Sequence, residues 1–417
     1  MTQNNNIPQG YKKTEIGIIP QEWEVKRLVD LCQNTGDYGI NAPSVPYRED
    51  LPTYLRITDI DGWGKFIETD KVSVDNPNSS QFILREGDIV FARTGATVGK
   101  TYLYDSKDGQ LVFAGFLIRF TPNSNKAIPY YIKASTETAS YWNWVRIISQ
   151  RSGQPGINSV EYGAMKLAVP PLQEQRKIAE ILGVWDEAIE KQSRLIEKLE
   201  LRKRALMQRL LTGRTRLPSS TTSWQKRRMK DCFEHITDTS NGCEYLPMTI
   251  SARLGLISQK DKFDRVIAGD SLKKYTHIQK GDFAYNKGNS NLYEMGCIYR
   301  LKEQDAVVPF VYTCFRPKQN VIGEFYQHFF INHGLDRQLK RIITSGARGD
   351  GLLNVDKTDF FELEIVYPPI AEQKAIAEVL TAADDEIATH RKKLDALRLQ
   401  KRGLMQQLLT GKTRVKI

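Results

Sequence analysis

PPLQEQRKIAEILGVWDEAIEKQSRLIEKLELRKRALMQRLLTGRTRL, residues Pro170 to Leu217, lies without a gap on PPIAEQKAIAEVLTAADDEIATHRKKLDALRLQKRGLMQQLLTGKTRV, residues Pro368 to Val415. The offset is a constant 198, and 23 of the 48 positions are identical. The chain is therefore an internal tandem repeat. Weaker echoes precede each copy: Trp23, Lys26, Arg27, Leu28 and Asp30 against Trp224, Arg227, Arg228, Met229 and Asp231, then Gly87-Asp88 against Gly281-Asp282, then Asn158 against Asn354. Each half is a variable block of about 150 residues followed by the shared block.

The shared blocks read as long helices. A Pro-Pro pair suits the boundary before a first turn, and LTG places Gly213 and Gly411 as C-terminal caps. The roughly 40 residues between span about 60 Å at 1.5 Å per residue. Apolar residues recur in steps of four and three: Ile178, Leu182, Trp185, Ile189, Ile196, Leu199, Leu206 and Leu210 in the first copy. The second gives Ile376, Leu380, Ala383, Ile387, Leu394, Leu397, Leu404 and Leu408. An average period of 3.5 is a heptad seam. It is interrupted by Gln192 and His390, then by Lys203 and Lys401, which either fix pairing register or sit at a solvated rim. The two seams pack on each other, or on a second copy of the chain.

The variable blocks differ. Short apolar or alternating runs, Tyr54 to Ile57, Asp88 to Ala92, Val112 to Phe120, Asp282 to Tyr285 and Val307 to Phe315, stand between Gly, Pro, Asn and Asp clusters and read as strands. Tyr130 to Ile148 and Glu324 to Ile343 read as one helix each. The fold class expected is α+β: two pseudo-repeated α+β domains, 1–169 and 218–367, joined by two long helices, 170–217 and 368–417.

At 417 residues the chain is long enough for two or three domains. The longest apolar stretch, Leu111 to Ile118, is far shorter than the roughly 20 residues of a membrane helix, and the start, MTQNNNIPQG, lacks a signal-peptide core. No membrane association and a cytoplasmic location are expected. Five cysteines, Cys32, Cys232, Cys243, Cys297 and Cys314, are odd in number and form no CxxC pair, as expected of core thiols.

A search for chemistry finds no active site. Thr94 to Thr101, TGATVGKT, evokes a phosphate loop, but that motif needs a glycine at Thr94, and the segment after it is strand and turn. Glu24-Val25-Lys26 resembles the tail of a nuclease set that has no preceding aspartate. The histidines His235, His277, His328, His333 and His390 have no metal-ligand spacing. Asn76-Pro77-Asn78-Ser79 lacks the Asn-Pro-Pro-aromatic pattern of an amino-methyltransferase. No catalytic residue and no metal ligand is expected.

Binding remains. The formal net charge is +11, and the two helical blocks carry +8 of it, so net charge does not make either variable block a nucleic-acid binder. Local clusters do suggest one. Arg146, Gln150, Arg151, Gln154 and Asn158 surround a glycine-containing turn, and Lys340, Arg341, Arg348 and Asn354 occupy the corresponding turn of the second block. Arginine pairs with guanine edges and phosphates, and Gln or Asn with adenine edges. An exposed loop facing only water accounts for any one of these residues equally well.

Two divergent blocks, one opened by Gly17-Ile18-Ile19-Pro20-Gln21-Glu22-Trp23 and both closed by a PPLxEQxxIAxxL…LLTGxTR pattern, resemble the specificity subunit of type I restriction-modification systems. Pro170-Pro171-Leu172, Glu174-Gln175 and Ile178-Ala179 carry the likeness in one half, and Pro368-Pro369-Ile370, Glu372-Gln373 and Ile376-Ala377 in the other. It spans essentially the whole chain. The second block departs slightly, with a bare Leu217-Pro218 before Trp224 and Met229 in place of Leu28. The resemblance implies that each variable block is a target recognition domain reading one half of an asymmetric, bipartite double-stranded DNA sequence. It implies that the helices pack antiparallel as a coiled coil, set the half-site spacing and dock two methyltransferase subunits. It further implies that S-adenosylmethionine and adenine methylation belong to partner subunits, together with ATP, Mg and restriction/translocase subunits where the system restricts. The competing expectation is a coiled-coil scaffold with no DNA readout. A third, an enzyme built on TGATVGKT, predicts ATP binding by the isolated chain.

Overall fold

The computed structural model describes residues 7–151, 153–217, 222–239, 245–263, 269–288, 290–343 and 353–416. They form mixed α and β structure in two compact units, Met1–Gln192 with Lys393–Ile417, and Ser193–Lys392. Two 39-residue helices, Leu172–Leu210 and Ile370–Leu408, each contribute a part to both units.

In the first unit, Asp37–Tyr38, Leu117–Phe120, Ile89–Ala92 and Thr101–Leu103 form an antiparallel four-stranded sheet in that order. All four residues of Ile89–Ala92 are buried. Side chains alternate across a strand, so this sheet is a middle layer. Ile89 and Phe91 pack with Tyr141, Val145 and Tyr162 of the helices Ala139–Ile148 and Ser159–Gly163, while Val90 and Ala92 pack with Leu111 and Phe113 on the other side. Leu111–Phe113 belongs to a second sheet, ordered Leu111–Phe113, Thr53–Leu55, Val72–Ser73, Val45–Pro46, whose first pair is parallel. Lys166–Val169 pairs antiparallel with Glu24–Arg27 and leads into the first long helix.

In the second unit, Phe233–Ile236, Thr313–Pro317, Phe283–Asn286 and Cys297–Arg300 form one antiparallel sheet. Gly255–Ser258, Leu246–Ser251, Ala306–Val308 and Thr276–Ile278 form the other. Phe283 faces an aromatic core in which Phe233 lies 5.2 Å from Phe315 and 5.2 Å from Tyr326, ring centre to ring centre; Ala284 faces the other sheet. Gln225–Arg228 pairs antiparallel with Glu364–Tyr367.

Several expected elements are subdivided. The run from Val112 to Phe120 is two strands in two sheets, because a turn at Ala114 to Leu117 redirects the chain; Val307 to Phe315 is broken in the same way at Pro309 to Tyr312. Tyr130 to Ile148 is two helices, Pro129–Ser135 and Ala139–Ile148. The Thr138 hydroxyl accepts from the Tyr141 amide and starts the second. Glu324 to Ile343 likewise divides into Gly323–Ile331 and Asp336–Ile342, at His333 in the left-handed region (φ 60°).

None of the sixteen apolar seam residues is exposed: Trp185, Ile189, Leu206, Leu397 and Leu404 are partly buried, and Ile178, Leu182, Ile196, Leu199, Leu210, Ile376, Leu380, Ala383, Ile387, Leu394 and Leu408 are buried. In the first unit Ile178 and Leu182 pack with Met405, Leu408 and Leu409; in the second Ile376 and Leu380 pack with Met207, Leu210 and Leu211. Lys203 and Lys401 do not sit at a solvated rim. Their side chains are 16% and 11% exposed and are ion-paired with Asp384 and with Asp186.

Cys32, Cys232, Cys297 and Cys314 are buried free thiols, pushed up to between about 11 and about 12 by that burial. Cys243 lies outside the described residues. Among the described residues no helix is long and apolar enough to cross a membrane, and no His/Cys/Asp/Glu group has the arrangement of a metal site.

Candidate nucleic-acid interface

The motif residues of the repeat hold each variable block to the helices. In the first unit the buried Glu174 carboxylate accepts from Trp23 Nε1 at 3.0 Å and from Arg414 Nε at 2.7 Å. In the second, buried Glu372 accepts from Trp224 Nε1 at 2.8 Å and from Arg216 Nε at 2.7 Å. Gln175 Oε1 accepts the Ile128 amide at 2.9 Å, and Gln373 Oε1 the Ile322 amide at 3.0 Å, so each Glu-Gln pair anchors a helix start of its variable block. Buried polar groups must be paired, which accounts for the retention of both residue types in both copies.

On this frame the first unit presents a polar ridge. The helix Ala139–Ile148 carries Arg146 in its last turn and is followed by the turn bearing Gln150, Arg151, Gln154 and Asn158, all exposed. Arg146 donates to Asn143 Oδ1 at 2.6 Å. Arg151 is held by Glu161 at 2.5 and 2.7 Å, and Asn158 caps the helix Ser159–Gly163 in a capping box with that same Glu161. Those two residues therefore shape the turn. Gln154 lies on the loop that follows Ile89–Ala92: a Cβ on Gly95 (φ +71°) would fall 2.8 Å from Gln154 Nε2.

The TGATVGKT loop is thus a support for this turn. Its Gly95 amide donates to Pro155 O, and Lys100 Nζ donates to Ile60 O. Arg93, at its entry, is a residue that the charge clusters did not single out. Its carbonyl accepts from Ile157 N–H at 2.9 Å and its N–H donates to Phe116 O at 3.0 Å, while its guanidinium lies 4.9 Å from the centre of the Tyr38 ring. Burial opposes ionisation of the Tyr38 hydroxyl, but the Ser159 N–H it accepts and the Arg93 charge hold it below the usual phenol range.

The second unit places Lys287 in the corresponding position. Its carbonyl accepts from Leu353 N–H at 2.9 Å and its ammonium donates to Val355 O at 2.8 Å. Lys340 and Arg341 are exposed on Asp336–Ile342. Lys340 lines a cleft of about 320 Å³ with Ser290, Asn291, Glu294, Met295, Ile343 and Leu353, next to which Asn354 is exposed. Arg348 lies outside the described residues. A larger cleft of about 440 Å³, beside Lys226, Arg227 and Arg228, has its cations facing Glu364, Glu362 and the Tyr367 ring. The signal for Arg93 and Lys287 is a cation directly after a largely buried strand and just before a glycine loop, as in Arg93-Thr94-Gly95 and Lys287-Gly288.

Comparison with known proteins agrees with this architecture. A family model described as the type I restriction modification DNA specificity domain matches residues 20–201 and 266–399, well over half the chain. A Methanocaldococcus jannaschii protein that carries the name of the MjaX type I restriction enzyme specificity subunit is 28% identical, with 98% of this chain and 97% of that one aligned. The MjaVIII specificity subunit of the same organism is 22% identical over 95% of this chain and 94% of its own. Among solved structures, the S subunit of a type I restriction-modification system from M. genitalium superposes with a TM-score of 0.55 at 12% identity, covering 98% of each chain. A chain from a structure describing assembly and conformational transition of the type I R-M system gives 0.54 at 15% identity, covering 95% of this chain and 99% of that one. With the family model matching most of the chain, this protein belongs to the type I restriction-modification DNA specificity family.

Proposed function

We propose that the chain is the non-catalytic DNA specificity subunit of a type I restriction-modification complex, in which each variable block, 1–169 and 218–367, reads one half of an asymmetric, bipartite target. The observation that carries this is that a DNA-specificity family model matches both halves of a chain whose two blocks differ in sequence while sharing one Trp-Glu-Arg anchor. Two different readers on equivalent anchors call for two different half-sites.

In this reading Arg93, Arg146, Gln150, Arg151, Gln154 and Asn158 contact DNA from the first unit, and Lys287, Lys340, Arg341, Arg348 and Asn354 from the second. Arg151 and Asn158, through Glu161, also hold the first turn in shape. The helical blocks 170–217 and 368–417 form a pseudo-two-fold antiparallel coiled coil that fixes half-site spacing and docks two methyltransferase subunits. The interrupted seam supports it, since Lys203 with Asp384 and Lys401 with Asp186 are ion pairs that only one register satisfies. S-adenosylmethionine, and ATP with Mg where the system restricts, belong to the partner subunits.

The test is co-expression with the methyltransferase subunit in a host lacking adenine methylation, with modified adenines mapped genome-wide by single-molecule sequencing. The expected result is a two-part motif with a fixed gap that vanishes when this chain is omitted. Methylation at no defined motif, from a complex that assembles, would sink the reading and favour a scaffold.

A further inference from the structure

Two turns interrupt otherwise buried apolar runs, and each leaves a phenylalanine in water. In the first unit the turn Ala114-Gly115-Phe116-Leu117 is closed by Leu117 N–H on Ala114 O at 2.8 Å; in the second, Pro309-Phe310-Val311-Tyr312 is closed by Tyr312 N–H on Pro309 O at 2.9 Å. Phe113, Ala114, Leu117, Val308 and Tyr312 around them are buried, whereas Phe116 and Phe310 are each 57% exposed. Hydrophobic burial opposes such exposure, and Gly, Asn, Asp or Ser would serve a turn as well or better. A connection between two sheets therefore does not account for either ring.

What surrounds the rings does. Phe116 is bonded through its carbonyl to the Arg93 amide, and Arg93 Nη1 reaches Gly115 O at 3.4 Å. The Arg93 carbonyl accepts from the N–H of Ile157, next to Asn158 and the turn bearing Gln154. The exposed ring thus stands beside the cation and amide groups of the candidate interface. In the second unit Tyr285 pairs with Thr313, and two residues further along the two chains stand Lys287 and Val311, the latter 38% exposed beside Phe310.

We propose that Phe116 and Phe310 are wedges: each ring enters a base step of the half-site that its unit reads and unstacks it. Apolar side chains that insert between base steps and kink the duplex are an established mode of recognition. Arg93 or Lys287 alongside supplies the phosphate or base-edge contact that positions the ring. A step opened beside a target adenine lowers the cost of extruding that adenine for methylation. The proposal rests on the DNA-specificity reading above.

The experiment uses the full chain in complex with its methyltransferase subunit, on duplexes of the mapped motif carrying 2-aminopurine at one position at a time. The wild-type complex gives a fluorescence rise at a step other than the methylated adenine in each half-site. F116A removes the rise in one half-site and F310A in the other, each with a loss of affinity of about 10- to 100-fold. F116L and F310L keep an apolar side chain that still enters the step and retain more of the signal than the alanine variants. Gel filtration and circular dichroism of every variant separate this from misfolding. Rises that survive F116A and F310A, or are confined to the methylated adenine, overturn the proposal, as does a loss of assembly with the methyltransferase subunit at unchanged DNA affinity. A wild-type complex that binds its motif no better than a scrambled duplex overturns the underlying reading instead.

Discussion

His328 carries a charge relationship that folding creates and pH can undo. The side chain is buried, with Nε2 3.4 Å from the Thr381 hydroxyl and Nδ1 3.9 Å from the Asp384 carboxylate. Burial first, then the nearby Lys203 ammonium, lowers its pKa; Asp384 and Glu324 oppose that shift and Lys302 adds to it. The folded state holds this histidine neutral, while the unfolded chain takes up a proton below about 6.5. Stability from this site is therefore present above that pH and is lost as pH falls toward about 4. Denaturant melts from pH 7.5 to 4.5 should show the second unit weakening by at most about 3 kcal/mol, and H328F should flatten the dependence; an unchanged slope in H328F refutes the assignment. At this scale the sequence was partly legible. Glu174-Gln175 and Glu372-Gln373 stood out by repetition, but what they hold did not, because Trp23 and Ile128 are 151 and 47 residues away from their partners. Arg151 and Asn158 stood out by residue type alone, and their bonds to Glu161 are visible only once the turn is folded.

Among the elements, the long helices were legible almost to the residue, since Pro-Pro, the heptad period and LTG are all local signals. The sheets were legible only as apolar runs. Leu111 to Ile118 carries no polar residue at its turn, so periodicity alone reads a single strand where the chain makes two; the turn is set by which sheet each half must join. The polar seam positions admitted two readings, and the choice depends on Asp186 and Asp384, which stand one residue after a seam position and become partners only in the folded arrangement. The element-scale prediction concerns those pairs. K203L and K401L each leave a partly buried carboxylate without its main cation, a loss we place at about 1–3 kcal/mol by comparison with fully buried pairs, measured by chemical denaturation. Neither substitution touches a base-reading side chain, so the methylated motif should be unchanged by sequencing. A motif with altered bases in either half would mean that the helices take part in readout.

At the scale of the whole molecule, neither unit is made from one half of the repeat. The first draws Glu22, Trp23 and Glu174 from the front of the chain and Arg414 from its last turn, and Tyr11 reaches Gly411 O at 2.8 Å; the second takes Arg216 from the first LTGRTR and Glu372 from the second Pro-Pro block. The LTGxTR arginine of each copy thus completes the glutamate site of the other, which a copy-by-copy reading of the sequence does not reveal. Glu174 is fully buried, and a buried carboxylate stripped of its cation costs far more than the pair contributes. Removing residues 412–417, or making R414A, should therefore destabilise the first unit by about 2–4 kcal/mol and leave the second unchanged, whereas R216A should weaken the second alone. Hydrogen exchange resolved by peptide distinguishes the units without requiring separate melting transitions. Faster exchange across Ile89–Ala92 and Leu117–Phe120 in R414A, with Phe283–Asn286 and Thr313–Pro317 unaltered, is the expected pattern, reversed in R216A. Equal loosening of both units by either substitution would show that the two arginine–glutamate sites stabilise one cooperative body rather than two.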